Sequence, residues 1–350
     1  MIHILLIILY LQFVNEFIFQ LPRSQLCTYL VTGIIFIFCI LLFMYKLKTK
    51  VTKTIVLYFS CLPLIFLNPS FLASVNIFGF ALYLRNKKEV SIKYLSMSFL
   101  LINLSIIFMQ IMRIWGDRSL IRVWGEKFGE NVIVRGFNNP NTEAEFYYLF
   151  TLSIWFIIRN KFIRNAVVFV LAIIVFQLTL GRMFSFAILA LCFTDLITSR
   201  RLLRLYKFMI ISIPIIITFV LFVAGYLLRD SYIPAIDTGL AGRLFFIGQI
   251  MSNLNIYNFL FGFVGIITVI TLDVSTFAIF ATRGIIMLVF MFICYVKYID
   301  KITHRYKYFP AIVSIVITSI TSPTLSWFSI SMVIFLCLLE HARKQYYEFN

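Results

Sequence analysis

Apolar runs recur along almost the whole chain, each broken off by a short polar segment. A helix that crosses a bilayer needs about 20 residues, with about 17 as a practical minimum. Runs of that order, or somewhat shorter, lie at Ile2–Phe19, Leu26–Tyr45, Ile55–Leu67, Phe71–Leu84, Tyr94–Met112 and Phe146–Ile158. More follow at Ala166–Leu180, Met183–Thr198, Phe208–Leu228, Val274–Val296, Pro310–Thr321 and Thr324–Leu339. The pattern predicts an all-α fold: a polytopic helical bundle of about twelve spans, forming one transmembrane domain over residues 1–350. The shorter runs must borrow flanking residues or thin the bilayer locally. No internal repeat of fixed period is evident.

The polar breaks fix an orientation. Lys46, Lys48, Lys50 and Lys53 follow the second run, and Arg85, Lys87, Lys88 and Lys93 the fourth. Arg159, Lys161 and Arg164 follow the sixth, and Arg200, Arg201, Arg204 and Lys207 the eighth. Lys297, Lys301, Arg305 and Lys307 follow the tenth, and Arg343 and Lys344 lie in the tail. Basic residues concentrate in cytoplasmic loops, so this side is read as cytoplasmic and both termini are expected there. The opening MIHILLIILYLQF has no basic leader or small-residue cleavage site and reads as a retained first span.

Two long segments are left outside, residues 113–141 and 229–272. Within the second, Tyr257–Leu272 is apolar enough to cross. A crossing there would invert every later loop and move Lys297 to Lys307 outside, so it is read as a partly inserted extracytoplasmic segment. Gly262 and Gly265 suit a broken or re-entrant backbone, which must be buried in protein or line a cavity. In the first segment, RIWGDRSLIRVWGEKF is expected to form a short interfacial helix with Trp115, Arg118 and Arg122 on one face.

Composition narrows the functions. The chain is 62% hydrophobic and 13% charged, against about 45–50% and about 25% for a soluble domain. No soluble domain of useful size fits between the runs. The 31 Lys and Arg against 14 Asp and Glu give a net charge of +17; loop sorting accounts for it, and nucleic acid is not expected as a partner. The six cysteines all lie in apolar stretches, with no metal-ligand spacing and no disulfide framework. The three histidines, His3, His304 and His341, map to the cytoplasmic side. Chemistry on the outer face is therefore expected to run without a histidine base, a metal or another cofactor.

The outer face has its own signature. Its basic residues are Arg23, Arg113, Arg118, Arg122, Lys127, Arg135, Arg182, Arg229, Arg243 and Arg283, nearly all arginine. Most of the inner ones are lysine. Orientation alone does not require arginine, whereas a planar guanidinium fork pairs bidentately with phosphate or carboxylate. Any single one of these is read about as well as an ion-pair partner of Asp117, Glu126, Glu130 or Asp230. Arg182 sits in the tight turn of LTLGRMFSF, and Arg283 lies within a span, where an arginine defaults to a functional or paired site. Glu143 and Glu145 stand at the mouth of one span and Asp273 at the mouth of another; each is either a solvated rim acid or a candidate base.

Four stretches resemble the bacterial O-antigen and capsular polysaccharide polymerases, the Wzy-type family. GFNNPNTEAE (Gly136–Glu145) resembles the family's HPNT-type stretch, with Asn139 where the family often has His. TLGR (Thr179–Arg182) resembles its Thr-x-Ser-Arg turn, with Gly181 in the place of serine. GRLFFIGQIMSNLNIYNFLFGFVG (Gly242–Gly265) resembles its second-loop pattern. LDVSTF (Leu272–Phe277), followed by RGII, resembles its Asp-Asn-Ser-Tyr stretch, with Val274 for the asparagine. The resemblance covers about Gly136 to Ile286. The related O-antigen ligases carry a histidine in the second large loop, and this chain has none there, which favours polymerase.

The resemblance implies a GT-C-like enzyme in the bacterial cytoplasmic membrane, with its site facing the periplasm or cell exterior. Repeat units on undecaprenyl pyrophosphate would be joined by transferring the growing chain from its lipid to the sugar of an incoming unit. Arg182, Arg243 and Arg283 would hold pyrophosphate, with fixed charge in place of a metal. Asp273, or failing it Glu143, would be the base, and Asn138, Asn139 and Asn141 would bind sugar hydroxyls. Lipid-linked glycans and membrane lipid are the expected partners, with a chain-length regulator and a flippase as further candidates. The alternative is a lipid-linked oligosaccharide flippase or other secondary transporter. It would line a path with charge, whereas here ionisable residues gather on one face, and inverted repeats are not apparent.

Overall fold

The computed structural model describes residues 3, 5–10, 33–34, 36–37, 40, 62–85, 91–112, 119–123, 131–135, 137, 140–179, 182–196, 200–228, 243–264, 274–302, 306–320, 322, 325 and 329–349. Helix dominates, as the apolar runs predict. Among the described residues four helices are long and apolar enough to cross a membrane: Ile92–Ile111, Lys161–Thr179, Arg204–Leu227 and Ser275–Asp300. Phe71–Arg85 and Phe309–Thr318 are apolar but shorter. The chain is thus a helical, membrane-embedded protein. The expected spans Ile2–Phe19, Leu26–Tyr45 and Ile55–Leu67 lie mostly outside the described residues.

The chain divides into two compact units, one of residues 1–35, 89–198 and 307–315, the other of 36–88, 199–306 and 316–350. In the first unit, residues 5–10 are helical and bury Leu5, Leu6, Leu9 and Tyr10, one stripe at helical spacing. The Tyr10 hydroxyl donates to Asn103 Oδ1 of α3 (Ile92–Ile111). α1 (Leu64–Leu67) and α2 (Phe71–Arg85) belong to the second unit.

A hairpin follows α3. β1 (Ser119–Val123) pairs antiparallel with β2 (Asn131–Arg135), in the register Ser119↔Arg135 to Val123↔Asn131. Among the described residues this small ribbon is set into otherwise helical structure, and it corrects the expected interfacial helix carrying Arg122. The segments SLIRV and NVIVR are rich in β-branched residues, which lose χ1 freedom in a helix and suit a strand. Trp115 and Arg118 lie outside the described residues.

β2 lies against α4 (Pro140–Ile157) and α5 (Lys161–Thr179), and α6 (Arg182–Leu196) packs on both helices. α4 presents Ala144, Phe146, Tyr148, Leu149, Leu152 and Trp155 to this core. Ser314 ties the layer together: its Oγ lies 2.8 Å from the Ala187 carbonyl, to which it donates, and 3.1 Å from the Tyr148 hydroxyl. At the α5–α6 pair, Asp195 Oδ2 accepts from Arg164 Nη2 at 2.6 Å and from Asn165 Nδ2 at 2.9 Å. The Arg164 guanidinium also lies 4.6 Å from the Trp155 ring centre.

The second unit contains α7 (Arg200–Leu228), α8 (Arg243–Ser252), α9 (Ile256–Phe261), α10 (Ser275–Asp300) and α12 (Ile330–Phe349), with α11 (Phe309–Thr318) counted partly in each unit. α8 can lie close on α7 because Gly225 has no side chain; a Cβ there would stand 2.4 Å from Ile247 Cγ2. Ile247 and Ile250 of α8 enter one core with Phe71, Phe277 and Phe280, and Phe222 sits 4.2 Å from Phe280, ring centre to ring centre. α12 runs well past its apolar part, because Glu, Ala, Arg, Lys and Gln are good helix formers. Its Arg343 Nε donates to Glu340 at 2.9 Å, and Lys344 Nζ donates to the Leu84 carbonyl of α2 at 3.0 Å. The Glu340 contact holds the Arg343 pKa above its ordinary value.

Candidate functional site

The site is built where α10 breaks. The sequence Ala-Thr-Arg-Gly brings Gly284 to φ 76° and ψ 178°, a conformation that is essentially restricted to glycine. The break frees carbonyls that the helix would otherwise satisfy. Ala281 O accepts from the Phe263 amide at 2.7 Å, and Thr282 O accepts from Asn68 Nδ2 at 2.9 Å.

α9 reaches the break from the other side. Asn255 caps its start, accepting the Asn258 amide at 2.7 Å. It ends at Gly262, with φ 82°. A Cβ on Gly262 would stand 2.3 Å from Arg283 N, and one on Gly284 would stand 2.1 Å from Leu260 O. The two bare backbones therefore approach more closely than any side chain would allow. The loop Asn68–Ser70, between α1 and α2, closes the third side. Asn68 Nδ2 also reaches Phe261 O at 3.2 Å, the Ser70 amide donates to Asn68 Oδ1 at 3.0 Å, and Tyr257 donates to Leu67 O at 3.0 Å.

Arg283 sits at the centre of this junction. It is fully buried, and its Nε donates to the Ser70 carbonyl at 3.0 Å. A guanidinium keeps its charge where water is scarce, so an anion brought to it would meet an interaction stronger than one in bulk water.

The other expected site residues are spread over both units. Arg243 is the first residue of α8, the helix whose Ile247 and Ile250 pack with Phe277 and Phe280 of α10, so both arginines belong to elements that share one core. Arg182 is the first residue of α6 and is exposed. The Phe184 ring, two residues on, lies 5.8 Å from that of Tyr148, tilted at 47°, and sets this end of α6 beside α4. Glu143 lies in the first turn of α4, fully buried. The solvated-rim alternative therefore does not hold for Glu143. Asn141 is exposed in the same turn. Asn138, Asn139 and Asp273 lie outside the described residues.

Asn68, Ser70 and Gly284 are the junction residues that hydropathy does not single out. Their signals are an Asn-Pro pair between two apolar runs, which marks a turn, and a glycine directly after an intramembrane arginine. Compared with known proteins, the chain matches no protein-family model, no curated protein and no solved structure.

Proposed function

We propose that this protein polymerises undecaprenyl-pyrophosphate-linked oligosaccharide repeat units into surface polysaccharide, O-antigen or capsule, on the outer face of the bacterial cytoplasmic membrane. Its bundle would have about twelve spans, with both termini facing the cytoplasm. The observation that carries the proposal is Arg283, a fully buried arginine fixed at the break of a long apolar helix. An intramembrane charge of this kind is costly to bury and is generally kept for function or pairing. The order of the four family-like stretches from Gly136 to Ile286 supports the same reading.

In this mechanism the growing chain's anomeric carbon loses its bond to the pyrophosphate of its lipid. A sugar hydroxyl of the incoming unit forms the new glycosidic bond. The leaving diphosphate is already a good anion, so it needs fixed positive charge more than an acid. Arg283, Arg243 and Arg182 supply that charge. Asp273 takes the hydroxyl proton, with Glu143 as the second choice, and Asn138, Asn139 and Asn141 hold sugar hydroxyls.

The test uses purified protein in lipid nanodiscs with a synthetic lipid-linked repeat unit. A ladder of products in multiples of the repeat supports polymerisation; unchanged substrate at all protein concentrations overturns it. One observation favours transport as a second reading, since interrupted membrane helices commonly form the binding sites of secondary transporters, and α10 is interrupted. Deletion in the producing cell separates the two. Loss of a polymerase leaves single repeat units on the surface, and loss of a flippase leaves none.

A further inference from the structure

We propose that Asn68 is a positioning residue for Arg283, setting the guanidinium that the proposed reaction uses. This rests on the reading of Arg283 as a pyrophosphate-holding group.

The argument begins with the planar amide. Asn carries two N–H donors and one acceptor oxygen on a single rigid group. Here the donors face the carbonyls of Phe261 and Thr282, at 3.2 and 2.9 Å, and the oxygen faces the Ser70 amide at 3.0 Å. Thr282 is the residue before Arg283. Ser70 is the residue whose carbonyl receives Arg283 Nε at 3.0 Å. Asn68 thus fixes both ends of the arginine: the main chain it grows from and the residue on whose carbonyl its guanidinium rests. The side chain is fully buried, so no water can stand in for these bonds without remodelling the junction.

Only glutamine carries the same groups, and its extra methylene sets them at a different reach. Aspartate keeps the bond from the Ser70 amide, loses both donors, and sets a carboxylate against two carbonyls and near the guanidinium. Alanine loses all three bonds. Neither change touches Arg283 itself. A shift of about 1 Å in a charge-stabilising group can cost on the order of 10²-fold in rate.

The experiment is a double-mutant cycle on polymer formation in nanodiscs, with Asn68→Asp, Asn68→Ala, Arg283→Lys and the two combinations. Amounts of folded protein are matched by size-exclusion and thermal unfolding, and both Asn68 variants are carried so that one that does not accumulate leaves the other. On wild-type background each Asn68 variant is expected to lower kcat about ten-fold or more, with KM for the lipid-linked unit changing by less than about three-fold. On the Arg283→Lys background the same variants are expected to cost less than about two-fold, because the group they position has already lost its fork. An equal loss on both backgrounds overturns the inference and leaves Asn68 a residue that only supports the fold. Full activity in either folded Asn68 variant overturns it too. If wild-type protein makes no polymer, the polymerase reading fails and takes this role of Asn68 with it. If wild type is active but the cycle is additive, the positioning role alone fails.

Discussion

Tyr295 completes the hydrogen bond that Pro214 leaves open. Pro214 lies inside α7 and has no N–H to give to the carbonyl four residues earlier, that of Ile210. The Tyr295 hydroxyl of α10 donates to that carbonyl at 2.9 Å. Leaving a buried acceptor unmet costs about 1–3 kcal/mol. Tyr295→Phe should therefore destabilise by about 1–2 kcal/mol in denaturant unfolding from mild detergent. The cost should shrink in a Pro214→Ala background, where the substituted residue supplies the missing amide. Equal costs in both backgrounds would separate the two residues.

The paired glycines should resist any side chain. Gly262→Ala and Gly284→Ala each place a methyl within 2.3 Å or less of main-chain atoms, in backbone conformations that already disfavour L residues. Each is expected to cost about 3 kcal/mol or more, seen as loss of monodisperse protein or a large fall in melting temperature. Gly33→Ala is the control, with nothing among the described residues within 4 Å of its added methyl, and should lie within about 1 kcal/mol of wild type.

Asp195→Ala should be costly out of proportion to its size. It removes the acceptor shared by Arg164 and Asn165 and leaves a part-buried guanidinium against Trp155. Removing one partner of such a pair costs about 3–5 kcal/mol when it is fully buried, so about 2–3 kcal/mol is expected here. Arg164→Leu combined with Asp195→Leu should recover much of that loss. A double variant as unstable as the sum of the singles would show that the two residues act independently.

Arg→Lys at 182 and 243 keeps charge and loses the fork. Each should shorten or abolish polymer while protein levels hold. Asp273→Asn should retain binding of the lipid-linked unit and lower transfer by about 10²–10⁴-fold, the usual worth of a general base. Binding and product ladders are measured separately on the same nanodisc preparation. If Glu143→Gln is inactive and Asp273→Asn is not, the two carboxylates exchange roles.

Single cysteines report orientation. Those replacing Lys127 and Asn255 should react with a membrane-impermeant maleimide in intact cells, and those replacing Lys88, Arg201 and Arg305 only after permeabilisation. Labelling of Arg305→Cys in intact cells would mean that Tyr257–Leu272 crosses the bilayer.

Hydropathy makes the long elements legible because a membrane helix is defined by continuous apolar sequence. α5 and α10 begin and end within a turn or two of the apolar runs, and α7 starts more than two turns early, where Arg and Lys flanks continue the helix. The hairpin is less legible, since SLIRV and NVIVR differ from a helix only in β-branching over five residues each. The junction is partly legible. Arg283 stands out because a charge in an apolar run is conspicuous, and Gly262 because glycine interrupts such runs. Asn68 does not stand out, since what matters about it is a set of bonds to residues 193 and 214 positions away. Sequence spacing carries no trace of contacts that distant.

The break in α10 also divides the helix into two histories. From Ser275 to Gly284 nearly every residue is buried among protein atoms. Beyond it, Ile286, Val289, Phe290 and Ile293 are exposed on the helix surface, where hydrocarbon chains accept any apolar side chain of any shape. Selection acts on the first stretch through fit and on these exposed positions of the second through oiliness, while Met287, Leu288 and Tyr295 remain bound by their own contacts. Across descendants of this chain, substitutions should therefore accumulate slowly up to Gly284 and freely among Leu, Ile, Val, Met and Phe at the exposed positions after it. The step in that rate would mark the glycine even where the surrounding residues have drifted beyond recognition.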